Sequence, residues 1–337
     1  EERIQLKKRG TDDPEAYEVY LRGRYYWNSF TEEGFAKALV CYNRAIALDT
    51  EYAQAYTGIA DYYNLLGVYA VLPFADTSAA AIDAALTAIK LDDNLAEAYS
   101  ALGFATLTHD FDWQTAERYL RRATELNPNY ATGRLWYCYF LGMAGRFDEA
   151  LAQVRRALEL DPLTPLVHHA LAWTYFHARR YEESIAAVRK LAINEPQYGM
   201  GHIFMCVVLL HTGAHEEAIE AGQKAVALLG RTPYTLFWLA SACAAAGQEE
   251  RARALLSEIE ELSAVRYVSP YLLAMVYRNL DDREQALAQL ERALEIRDGR
   301  LAWLGVDPQF DSLRSEPRFT EILRKTNNPA PARAVTA

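Results

Sequence analysis

The chain has 337 residues, of which 51% are hydrophobic, and its formal net charge is −10. This length and apolar content are sufficient for an extended core within one elongated domain. The acidic balance argues against nucleic-acid binding by this region, because such binding needs clustered cationic side chains that displace counterions. No apolar run approaches the roughly 20 residues that a membrane span requires. We therefore expect neither nucleic acid nor membrane among the partners of this chain.

A short helical pattern, marked by one small or aliphatic residue, recurs eight times along the chain. Successive markers are 43, 35 and then five times 34 residues apart. A fixed period near 34 is typical of helix–turn–helix solenoids. The markers are Ala45, Ala88, Ala123, Ala157, Leu191, Ala225, Ile259 and Ala293.

The first two units are irregular, and the third shows most clearly why the pattern predicts two packed helices. It reads EAYSALGFATLTHDFDWQTAERYLRRATELNPN, and its Tyr99, Leu102 and Thr106 share one stripe of a first helix. Ala123 lies on the stripe of a second helix, where a larger side chain would overpack the pair. Pro128 ends that helix, because proline has no amide hydrogen to continue it.

Eight such units in register resemble the tetratricopeptide repeat, which implies an all-α, right-handed superhelical solenoid. The predicted solenoid covers residues 12–297, after residues 1–11 as the end of a preceding domain or linker. A C-terminal cap is expected at 298–325 and a disordered tail at 326–337. The repeats are predicted at about 15–50, 51–93, 94–128, 129–162, 163–196, 197–230, 231–264 and 265–297.

The second unit carries about nine extra residues near 65–80, which predict a lengthened helix pair or a protruding loop. Insertions in repeats map to one face of a solenoid and can be functional. Val71, Leu72 and Phe74 are therefore candidates for a contact patch. The alternative is that they pack against the neighbouring repeat.

The first helices of repeats four to seven are apolar on two stripes, which a helix with one solvated side would not be. Three interpretations remain open. The groove could bind an amphipathic helix or extended apolar segment, the superhelix could bury these residues itself, or another domain or second copy could cover them. The predicted groove residues are Phe104, Leu135, Tyr139, His169, Trp173, Phe176, His177, Ile203, Val207, His211 and Phe237.

Two histidine pairs repeat at the same spacing of 34 residues: His168 with His202, and His177 with His211. Neighbouring helices lie about 8–10 Å apart, so each pair could converge on a metal ion. No carboxylate or thiol is placed to complete such a site. We therefore predict no metal and no cofactor, with the first pair in the packing stripe and the second lining the groove.

The remaining candidates for chemistry are weak. The chain contains no phosphate-cradling glycine loop, zinc-protease motif or nucleophile elbow, so we predict that it is not an enzyme. Its four cysteines occur singly, without a metal-like pair. Buried, reduced thiols are the expected state, which is consistent with a cytoplasmic location.

Both ends of the chain resemble the carboxy-terminal tetratricopeptide regions of large bacterial regulators. The resemblance rests on TDDPEAYEVYLRGRYYWNSFTEEGFAKAL at the start and DGRLAWLGVDPQFDSLRSEPRFTEIL near the end. In that family the upstream part is a winged-helix domain, a nucleotide cyclase or a protein kinase. The resemblance implies a protein or peptide partner, which could be another domain of the same polypeptide or a second copy. The alternative function is a small-ligand or metal sensor that uses the same groove.

Overall fold

The computed structural model describes residues 10–29 and 31–330, and these residues form helices without any β-strand. Seventeen α-helices, numbered α1 to α17 in chain order, are joined by short turns, and two 3₁₀-helices at Gly299–Trp303 and Pro308–Leu313 lie between α16 and α17. The α-helices are Pro14–Trp27, Glu32–Leu48, Ala53–Val68, Phe74–Leu91, Ala96–Asp110, Trp113–Leu126, Ala131–Met143, Phe147–Leu160, Pro165–His177, Tyr181–Asn194, Gly199–His211, His215–Leu229, Pro233–Ala245, Glu249–Leu262, Pro270–Asn279, Arg283–Glu295 and Pro317–Lys325.

The first sixteen helices form eight antiparallel pairs, and the fold is a tetratricopeptide-repeat solenoid, as the period predicted. The turn inside pairs three to eight recurs as regularly as the sequence pattern. Left-handed backbone with positive φ occurs at Phe111, Gly145, Arg179, Gly213, Gly247 and Asp281, each 34 residues after the last. Glycine adopts this conformation without strain, whereas Phe111 and Arg179 adopt it because the surrounding pairs fix the turn.

Small residues hold the two helices of a pair close together. A β-carbon added to Gly103 would lie 2.7 Å from Leu120 Cγ and 3.0 Å from the carbonyl oxygen of Ala116. Ala116 and Ala123 on the facing helix are buried. These contacts explain why the repeat pattern admits only small side chains at these positions.

The extra residues of the second repeat lengthen its helices. Helices α3 and α4 contain 16 and 18 residues, whereas the third repeat has helices of 15 and 14. The connection between α3 and α4 reaches across the superhelix, so that the rings of Tyr69 and Tyr234 are 6.1 Å apart. Arg266 of the eighth repeat also pairs with Glu32 of the first at 2.9 Å. Repeats near the two ends therefore contact each other, and the solenoid closes on itself.

The C-terminal segment, residues 298–330, has two roles. Its helix α17 caps the last repeat: Phe319 is buried, and Arg318 pairs with Glu284 and Glu291. Its earlier part crosses back over the middle repeats of the solenoid. The segment therefore does more than cap the last repeat.

The expected disordered tail at 326–337 is wrong for its first five residues. Thr326 is buried, and its carbonyl oxygen accepts a hydrogen bond of 2.9 Å from Trp113 Nε1. Asn328 donates to the Ala302 carbonyl, and Ala330 packs against Phe147 and Val306. These five residues, TNNPA, are held by these hydrogen bonds and by the packing of Ala330. The remainder of the predicted tail and residues 1–9 lie outside the described residues.

Candidate functional site

The two apolar stripes of repeats four to seven do not line an open groove. Most of the predicted groove residues are buried, and four are half-buried: Tyr139, His169, Trp173 and His211. The buried ones are Phe104, Leu135, Phe176, His177, Ile203, Val207 and Phe237. The structure thus favours the second of the three interpretations, in which the coil itself encloses these residues.

Trp303 in the C-terminal segment covers the centre of this surface. Its ring lies 4.4 Å from His177, 5.7 Å from Trp173 and 6.3 Å from Tyr139, measured between ring centroids. The contacts with Trp173 and Tyr139 are edge-to-face, an arrangement that aromatic rings prefer. The groove therefore holds an apolar segment, and this segment comes from the same chain.

Arg300 anchors the segment to the second repeat. Its guanidinium donates hydrogen bonds to the carbonyl oxygens of Gly67 at 2.9 Å and Val68 at 2.6 Å. It also lies 5.2 Å from the centroid of the Phe74 ring. These carbonyls belong to the last turn of α3, where a cation is favourable because the helix leaves carbonyl groups unpaired.

The three predicted insertion residues lie in different environments. Phe74 is buried against Gly299 and Arg300, Val71 is half-buried, and Leu72 is 41% exposed. Phe74 thus packs against the C-terminal segment rather than only against a neighbouring repeat. Leu72 is the one whose side chain is available for an external contact.

Salt bridges and turns fix the rest of the C-terminal segment. Arg179 pairs with Asp311, and the second hydrogen bond of this pair measures 2.7 Å. Asp311 also accepts from Arg314, and these two arginines hold the pKa of the carboxyl below its usual range even though burial opposes them. The segment therefore crosses the helix–helix turns of repeats three to five, from Trp113 to Arg179.

An axial cavity remains between the first helices and the C-terminal segment. Its volume is about 990 Å³, counting the part that is open to solvent. Six predicted groove residues line it: Phe104, Tyr139, His169, Trp173, Ile203 and Val207. The other five do not line it: Leu135, Phe176, His177, His211 and Phe237.

Sequence reasoning missed several residues of the cavity wall, among them Trp136, Trp238, Tyr271, Met275 and Trp303. A signal existed for four of them. Tyr271 and Met275 follow Phe237 and Ser241 by 34 residues, and Trp238 follows Trp136 by three periods of 34. Trp303 has no such signal, because it lies outside the repeats.

The histidine pairs are separated by other contacts. His168 Nε2 and His202 Nε2 each lie within 3.0 Å of the carbonyl oxygen of a proline six residues earlier. The Phe176 ring lies between His177 and His211, 5.2 Å from one and 5.3 Å from the other. Across residues 10–29 and 31–330, the structure contains no group of three histidine, cysteine or acidic side chains that could hold a metal ion.

Burial keeps the histidines of this region neutral. It lowers the pKa of His169 to about 4 and that of His177 to about 4. For His177 the nearby Asp307 opposes the shift, and Arg179 and His211 reinforce it. Near neutral pH the wall therefore presents the uncharged imidazole of His169.

The concave face of the first two repeats is polar. Asp61 is buried and pairs with Arg24 at 3.3 Å, and Asn64 donates to the carbonyl oxygen of Ala101. Burial raises the pKa of Asp61 to about 6, although Arg24 opposes the rise. Specific polar pairs therefore contribute to the stability of this face.

Three parts of the chain match family models described as tetratricopeptide repeat, at residues 107–173, 233–258 and 271–299. Among curated proteins, the chain is similar to the transcriptional regulator HilA of Salmonella typhimurium, with 26% identity over 159 residues. The match covers 47% of this chain and 29% of HilA, so the chain spans less than a third of that relative. HilA of Salmonella typhi matches to the same extent.

Solved structures support the fold. Yeast Tom70 aligns with a TM-score of 0.54 at 15% identity, covering 93% of this chain and 68% of Tom70. Human IFIT1, solved as a dimer with m7Gppp-AAAA, aligns with a TM-score of 0.61 at 15% identity, covering 87% and 75% of the two chains. At these identities the likeness concerns the solenoid alone. The part of the chain that the structure describes contains no helix long and apolar enough to cross a membrane.

Proposed function

We propose that this chain is a non-catalytic interaction module of a bacterial signalling or transcription-regulating protein in the cytoplasm. Its groove would bind an apolar or amphipathic segment of a partner in place of its own C-terminal segment. Tetratricopeptide solenoids are binding scaffolds, and the similarity to a transcriptional regulator supports the setting. The four free cysteines are consistent with a reducing compartment.

The observation that carries this proposal is the position of Trp303 on Tyr139, Trp173 and His177. An apolar side chain on an irregular segment fits there, and a partner segment of similar chemistry could use the same contacts. Aromatic anchors in such pockets dominate many interfaces. A neighbouring domain or a second copy of the chain could supply the competing segment.

The test is a peptide exchange. A labelled peptide of residues 298–330 is titrated into the full chain and into a loosened chain that carries Arg300→Ala and Trp303→Ala. A tethered segment competes at an effective concentration near the millimolar range, so the loosened chain should bind the peptide at least about ten-fold more tightly.

The matched control is the same peptide carrying Trp303→Ala, which should bind neither chain measurably. Circular dichroism of the loosened chain verifies that its helices persist. Equal binding of the two peptides, or no gain in the loosened but helical chain, would contradict the proposal.

The axial cavity favours a second candidate, which is a small-ligand sensor. The cavity keeps an opening to solvent while the C-terminal segment is in place, so a small molecule would not need to displace that segment. Its wall is mostly apolar with a few polar groups, which is typical of ligand pockets.

A further inference from the structure

We propose that the axial cavity binds a small, uncharged aromatic compound that carries one hydrogen-bonding group. This inference deepens the second candidate function and does not depend on exchange of the C-terminal segment. Part of the cavity volume is open to solvent, so the enclosed part suits a compound of one or two rings.

Aromatic side chains dominate the cavity wall. Four indoles and four phenol rings line it: Trp136, Trp173, Trp238, Trp303, Tyr69, Tyr139, Tyr234 and Tyr271. Trp173 and Trp303 are half-buried although they lie at the axis, because part of each ring faces the cavity. Their planes meet at 89° with centroids 5.7 Å apart, so a flat ligand can stack on one ring and meet the edge of the other.

The two acidic or basic side chains of the wall are already hydrogen-bonded within the chain. Among its described residues these are Arg300 and Asp307. Arg300 donates to two backbone carbonyls and to Asp298. Asp307 accepts from the Tyr271 hydroxyl at 2.9 Å and from the backbone of Gln309. An ionised ligand would have to lose its hydration in a largely apolar wall and compete with these hydrogen bonds, which costs free energy, so the site favours an uncharged one.

His169 supplies the polar contact. Its ring stacks on Phe204 with centroids 5.0 Å apart, and it lies on the cavity wall. His177 and His211 do not line the cavity, whereas His169 does, and its Nδ1 is buried without a hydrogen-bond partner within the described residues. A neutral imidazole can accept or donate a hydrogen bond, so a hydroxyl on the ligand would satisfy either tautomer.

Phenol is the first probe, and three compounds of similar size separate its properties. Toluene lacks the hydroxyl, cyclohexanol lacks the aromatic ring, and benzoate adds a charge. Titrations that follow the tryptophan fluorescence of the full chain should show one saturable site for phenol. Toluene should bind about five-fold more weakly through loss of one hydrogen bond. Cyclohexanol and benzoate should bind about ten-fold more weakly.

Two variants locate the site. His169→Phe keeps the ring on Phe204, and it should make the affinities for phenol and toluene equal. The matched control His168→Phe, at the next residue but outside the cavity wall, should leave phenol binding unchanged. Val207→Phe should fill the cavity and abolish binding, with circular dichroism to verify the helices.

Three results would overturn the inference: no saturable phenol binding, tighter binding of cyclohexanol or benzoate, or the same loss in His168→Phe as in His169→Phe. None of these results bears on the peptide exchange, so the two proposals fail separately.

Discussion

The concave face has a polar half in the first two repeats and an apolar half in repeats four to seven. In the first two repeats Asp61, Arg24 and Asn64 face inward and find polar partners at fixed distances. In repeats four to seven the inward residues are aromatic or aliphatic, and Trp303 completes their packing. Polar pairs need defined geometry and leave little choice of partner, whereas an apolar face accepts whatever fits. The apolar half is therefore the half in which binding can vary.

The largest expected effect tests whether the apolar half is a core or a contact surface. Phe176→Ala should lower the free energy of unfolding by about 4 kcal/mol, because the Phe176 ring is fully buried and packs against the rings of Trp173 and Phe204. Urea denaturation measures this difference. Leu163→Ala is the control, since Leu163 is 83% exposed and should cost little. A loss below about 1 kcal/mol for Phe176→Ala would contradict the buried interpretation.

The second prediction concerns acid sensitivity of the apolar half. Burial lowers the pKa of His177 from 6.5 to about 4, so the unfolded chain takes up a proton first as the pH falls below 6.5. Stability contributed by the neutral imidazole is therefore complete above pH 6.5 and is lost toward pH 4. His177→Gln should reduce this acid loss by about 3 kcal/mol. Unfolding free energies at pH 4 and pH 7.5 measure it, and an unchanged difference between the two pH values would refute the assignment.

The third prediction has the opposite sign and concerns the polar half. Burial raises the pKa of Asp61 from 3.8 to about 6, so the folded chain takes up a proton first as the pH falls. This carboxyl therefore stabilises the fold below about pH 4 and loses that contribution as the pH rises through 6. Asp61→Asn should remove between about 2 and 3 kcal/mol from the change in unfolding free energy between low and neutral pH. The variant should then be the more acid-sensitive protein in the same titration, and a flat difference between pH 4 and 7 would argue against it.

The sequence predicted the repeats well because the spacing of nearby residues determines which of them share one face of a helix. Tyr99 and Leu102 identify a helix face without any knowledge of the rest of the fold. Local spacing does not indicate which other part of the chain packs against that face. Trp303 lies in a 3₁₀-helix without periodicity, and nothing in its neighbourhood indicates that it lies on Trp173, 130 residues earlier.

Part of the cavity wall follows from the same local spacing. The register of 34 residues placed Tyr139, Trp173 and Val207 on one face, and they line one cavity. The sequence could not distinguish an open groove from a closed cavity, because closure depends on how far the superhelix turns. In the structure, Tyr69 of the second repeat contacts Tyr234 of the seventh, and this contact shows that the superhelix is closed.

Closure also changes how the chain must fold. Repeat solenoids are held by contacts between neighbours, so they can form unit by unit as the chain emerges. Here Arg300 reaches back 232 residues to Val68, and Trp113 is joined to Thr326 across 213. Contacts this distant in sequence slow folding, because long loops must close first. We therefore expect the middle repeats to complete their packing only after the last residues of the segment have been synthesised, and the array to unfold as one unit rather than from its ends.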